Sequence, residues 1–72
     1  MNDERETRNE LAEADSHLKQ AEARIVQQQK RVAKLAAGGH DTEEAEKLLT
    51  RLTESLETML QHREIILRRT RR

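Results

Sequence analysis

From Leu11 onward, apolar side chains recur at alternating steps of three and four residues: Leu11, Ala14, Leu18, Ala21, Ile25, Val32 and Leu35, with Gln28 in the one missing place. This spacing marks the buried stripe of a helix that packs along another helix. A second seam follows the only two glycines, Gly38 and Gly39, and runs through Ala45, Leu49, Leu52, Leu56, Met59 and Ile66, with Arg63 interrupting it. The pattern predicts an all-α chain over 1–72: a helix over about 4–37, a turn over 38–41 and a second helix over about 42–69.

The break carries its own chemistry. Gly38 or Gly39 can take the left-handed conformation that closes a helix C-terminus without a Cβ clash. Asp41 suits the N-cap of the next helix, and Glu44 completes a capping-box pair, with Thr42 as the alternative cap. So short a loop makes the helices fold back into an antiparallel, coiled-coil-like hairpin. Asp3 with Glu6 and Thr7 with Glu10 both fit a helix start, so order over 1–10 is left open.

In an antiparallel hairpin the numbers of facing residues have a constant sum. The pairs Leu35/Ala45, Val32/Leu49, Gln28/Leu52, Ile25/Leu56, Ala21/Met59, Leu18/Arg63, Ala14/Ile66 and Leu11/Thr70 sum to 80 or 81 throughout. The two seams therefore agree on one register. Charge follows the same arrangement, because residues 1–16 and 41–60 each carry a surplus of four acids, whereas 17–40 and 61–72 each carry a surplus of four bases. Each acidic block faces a basic one. Each helix also starts acidic and ends basic, which complements its dipole.

Composition narrows the class further. With 33% apolar and 39% charged residues and no Phe, Trp, Tyr or Pro, the chain lacks strong strand formers and helix breakers alike. The absence of Cys rules out a disulfide framework and Cys-based zinc sites. No apolar run exceeds three residues, far short of the ~20 a membrane-spanning helix needs, and the acidic start lacks the pattern of a secretory signal. A cytoplasmic protein without a membrane span is expected.

Two helices cannot surround ten sizeable seam side chains, and a chain of this length rarely builds a sufficient core by itself. Val26, Ala33, Ala36, Leu60 and Leu67 lie beside the seam, all on one side of the hairpin. The expectation is a homodimer, or pairing with another helical protein, that completes a four-helix bundle through these residues. Leu48 lies on the opposite side and does not belong to that surface. The competing reading is that Leu60 and Leu67 widen the intramolecular core.

Candidate chemistry is sparse. His17 and His62 share a flank near Leu18 and Arg63, but two imidazoles fall short of the four ligands of a structural zinc site, and Arg63 opposes a cation. His40 is read as a loop residue. No nucleophile, base and orienting group come together, so neither a catalytic residue nor a cofactor nor a metal is expected, and the chain is read as a non-enzymatic interaction module.

Arg68, Arg69, Arg71 and Arg72 are the residues most suited to anion contact. They define the alternative function, a small regulator that holds nucleic acid or an anionic surface through its tail. The absence of aromatic residues, the zero net charge of the chain and the nearby acids favour instead a basic helix end answering its dipole, so nucleic acid is not an expected partner of this chain. Gln28 and Arg63 are the polar seam residues, and such residues can set register and oligomer state at a cost in stability.

The stretch from Ala21 to Arg63 has a basic, Gln-rich first helix, a Gly39-His40-Asp41-Thr42 turn and a Leu-rich second helix ending near a His and an Arg. In these features it resembles a group of small uncharacterised proteobacterial helical-hairpin proteins. The resemblance implies a bacterial source and a helical hairpin, and it carries no activity and no functional residues across.

Overall fold

The computed structural model describes residues 4–70, and they form two helices: α1 over Glu4–Ala37 and α2 over Glu43–Thr70. Glycine and proline are absent from both interiors, so nothing interrupts either backbone ladder. Glu4 and Glu6 open α1, and Glu43, Glu44 and Glu46 open α2. Lys34 closes the first helix, and Arg68 with Arg69 closes the second. The helices lie antiparallel in a rod of 57 × 15 × 14 Å.

The turn divides its work between neighbouring residues. Gly39 has φ +73° and so occupies the left-handed position. The Gly39 amide donates to the Ala36 carbonyl at 3.1 Å and the His40 amide to the Leu35 carbonyl at 2.8 Å, which is a Schellman closure. Asp41 Oδ1 accepts from the Glu43 amide at 2.9 Å, while the first backbone bond of α2 runs from Glu46 N to Thr42 O at 2.9 Å. Asp41 therefore acts as the side-chain cap, through the Glu43 amide, and Thr42 contributes its backbone carbonyl.

The seam forms the core, but unevenly. Ile66 is 1% exposed and Leu18 and Ala21 are each 8% exposed. Leu11, Ile25, Val32, Leu35, Leu49, Leu52, Leu56 and Met59 are only half-buried, because two cylinders meet along a line and leave one side of each seam residue open. The buried stripe also extends one heptad beyond Ala14, to Thr7, which is 8% exposed.

Both polar seam residues are partnered across the hairpin. Gln28, 8% exposed, donates from Nε2 to the Ala45 carbonyl at 2.9 Å. Arg63 donates from Nε to Asp15 Oδ1 at 2.6 Å. A polar group in a helix interface costs least when it is bonded, so these two positions favour one register over slipped ones.

Candidate interaction surfaces

Helical geometry gives the hairpin two long flanks, one on either side of the joined seams. On the first flank Val26 is 48% exposed and Leu60 is 50% exposed. Ala33 and Ala36 on this flank are also exposed, whereas Leu67 is half-buried and serves partly to widen the hairpin's own core. Leu60 faces the level of residues 20–21 of α1 in the observed register. It therefore lies only ~8 Å along the rod from Val26, at ~1.5 Å per residue. Both lie near the middle of the hairpin, one on each helix.

The opposite flank is organised differently. Leu48 is 42% exposed and Ile65 is 52% exposed, but both belong to α2 and stand ~25 Å apart along it. Ile65 escaped sequence reasoning because it sits in an apolar run, Ile65-Ile66-Leu67, in which only Ile66 falls on the seam. A shallow groove of about 420 Å³ on this flank is lined by Ala23, Arg24, Gln27, Gln28, Leu48 and Leu52. His17 and His62 line one open depression of about 240 Å³ with Ala14, Thr58 and Met59. Among the described residues no three metal-ligating side chains gather, at these histidines or elsewhere.

Charge pairing departs from the expected four blocks. At the terminal end the blocks do meet, through Arg63 with Asp15 and through Arg69 Nη2 with Glu10 Oε2 at 3.6 Å. At the turn end they do not. Among the described residues Lys19, Arg24, Lys30, Arg31 and Lys34 of α1 form no salt bridge, and Lys47 of α2 pairs within its own helix with Glu43 and Glu44. Arg24 instead borders the groove beside Leu48 and Leu52, so on this flank it meets apolar residues of α2 and not acids.

The tail arginines are largely engaged. Arg68 Nε lies 3.8 Å from Glu64 Oε1, and Arg69 is held by Glu10, so both have carboxylate partners. Arg71 and Arg72 lie outside the described residues. The hydroxyls of Thr50, Thr53 and Thr58 each donate to the carbonyl four residues back in α2, so none is paired with a base.

Among the described residues no helix is long and apolar enough to cross a membrane. Comparison with family models, with curated proteins and with solved structures finds no match for this chain.

Proposed function

We propose that this chain is a non-enzymatic interaction module that associates with a second copy of itself through the flank carrying Val26 and Leu60. The observation that carries this reading is that these two large apolar residues, one on each helix, are both about half exposed and lie close together along the rod, set against the widely separated Leu48 and Ile65 on the other flank. A two-fold axis passing between Val26 and Leu60 brings both residues of one copy onto both of the other. Such an isologous contact closes after two chains and completes a four-helix bundle.

Surface area supports the same reading. The chain exposes 6071 Å². A compact monomer of 8.4 kDa exposes about 4,600 Å² by the usual mass scaling. The excess is more than the ~800 Å² per partner that a typical stable interface covers.

Sedimentation equilibrium tests the proposal. The expected result is twice the chain mass at micromolar concentration, with a thermal midpoint that rises with protein concentration because assembly and folding are linked. A single-chain mass with a concentration-independent midpoint rejects it.

A further inference from the structure

Away from the apolar flank, α1 carries a second periodic stripe. Gln20, Arg24, Gln27, Arg31 and Lys34 follow one another at steps of four, three, four and three residues, with Lys30 beside them. The stripe thus runs straight along the rod for ~21 Å, parallel to the buried seam. All six side chains are exposed. Arg51 of α2, also exposed, lies one turn beyond Leu48, on the far side of the groove that Arg24 and Gln27 line.

What distinguishes this stripe is the absence of carboxylates. The chain has 14 basic and 14 acidic residues, yet the only acid between His17 and His40 is Glu22, which belongs to the opposite flank. None of Arg24, Lys30, Arg31, Lys34 and Arg51 is in a salt bridge among the described residues. Like charges three and four positions apart, such as Lys30 with Lys34 and Arg31 with Lys34, repel one another, and an anion bound along the stripe would relieve that repulsion. The tail arginines differ on this point, since Arg68 and Arg69 already have carboxylates.

We propose that this stripe holds the phosphate backbone of a double-stranded nucleic acid. A duplex presents one charge per ~3.4 Å of axis on each strand, so ~21 Å of rigid helix spans about six phosphates. Arginine and lysine meet those charges, and the glutamine amides donate to phosphate or sugar oxygens. A single strand is the poorer ligand, because the chain has no aromatic residue on which bases stack. A membrane surface is poorer too, because an interfacial helix needs a bulky apolar face beside its cations and this stripe is wholly polar. The contact is electrostatic and independent of base sequence. It is also independent of self-association, since Leu60→Glu leaves every residue of the stripe in place.

Fluorescence anisotropy with labelled 20-base-pair DNA and RNA duplexes, between 50 and 200 mM salt, tests the assignment on the full chain. The logarithm of the binding constant is expected to fall with the logarithm of salt at a slope of about −4.5, for five cations at ~0.9 each. The triple variant R24Q/R31Q/K34Q keeps good helix formers, so its helical circular dichroism is retained. Its slope is expected to flatten by nearly 3 and its affinity at 50 mM salt to drop at least ~10-fold. R68Q/R69Q is expected to keep the parent slope. Binding to either duplex with this dependence supports the inference, and the tighter duplex names the source. Any of four results overturns it: no duplex binding at 50 mM salt; a slope that only R68Q/R69Q changes; binding to phosphatidylserine vesicles but to neither duplex; or a mass above the dimer at low salt without duplex binding, which would assign the stripe to the acidic flank of another copy.

Discussion

The side-chain amide of Gln28 reaches across the hairpin to the main-chain carbonyl of Ala45 at 2.9 Å. That carbonyl already accepts the helical bond from the Leu49 amide, so the glutamine uses its second lone pair and the helix survives without it. Gln28→Leu therefore exchanges a bond of ~1 kcal/mol for apolar burial and is expected to raise the thermal midpoint. It should also broaden the distribution of oligomers in sedimentation velocity, because no other register penalises a leucine. A stabilised variant of unchanged, single mass would show that Gln28 has no part in specificity.

Arg63 and Asp15 form the second cross-hairpin contact, with side chains 36% and 49% exposed. Solvent screens a pair so placed, and its net value is expected to fall near the upper end of the 0–1 kcal/mol range for surface ion pairs. A double-mutant cycle with Arg63→Gln and Asp15→Asn should return a coupling of about 0.5–1 kcal/mol that shrinks in high salt. A coupling indistinguishable from zero at low salt would show that the seam tolerates Arg63 without using it.

The two turn glycines should respond differently to alanine. At Gly39 an added Cβ meets nothing within 4 Å, but φ +73° strains any L side chain, so Gly39→Ala is expected to cost about 1–2 kcal/mol. Gly38 lies outside the left-handed region, and its added Cβ would come 3.0 Å from His40 Cδ2, the ring of an exposed side chain free to swing aside. Gly38→Ala should change stability by no more than about 0.5 kcal/mol. Urea denaturation of both variants reads the contrast, and equal costs would contradict the Schellman assignment.

The two flanks are separable by charge. Leu60→Glu puts a carboxylate into the proposed contact and should cost several kcal/mol of association, leaving a helical monomer in sedimentation equilibrium. Ile65→Glu, on the other flank, and Gln61→Glu, one residue away and exposed, should both leave the dimer intact. Dissociation by Ile65→Glu but not by Leu60→Glu would move the interface to the Leu48 side.

The sequence alone determined the two helices, the turn between them and their pairing register, since each rests on local signals: a three-four apolar period, glycines at a helix end and the acidic caps that follow. The sizes of Val26 and Leu60 and their distance from the seam were equally legible. Exposure was not, because it depends on which side chains of the other helix stand opposite each position. Leu60 is left open while Leu67, one heptad further along the same helix, is half-covered. Thr7 escaped the apolar count because burial one heptad beyond Ala14 follows the helix path rather than side-chain polarity. The charge blocks show the same division. Block composition placed opposite charges at the same level of the rod, but only the residues standing opposite each base decided that Arg63 and Arg69 meet Asp15 and Glu10 while Arg24 borders Leu48 and Leu52 and, with Arg31 and Lys34, forms no salt bridge among the described residues.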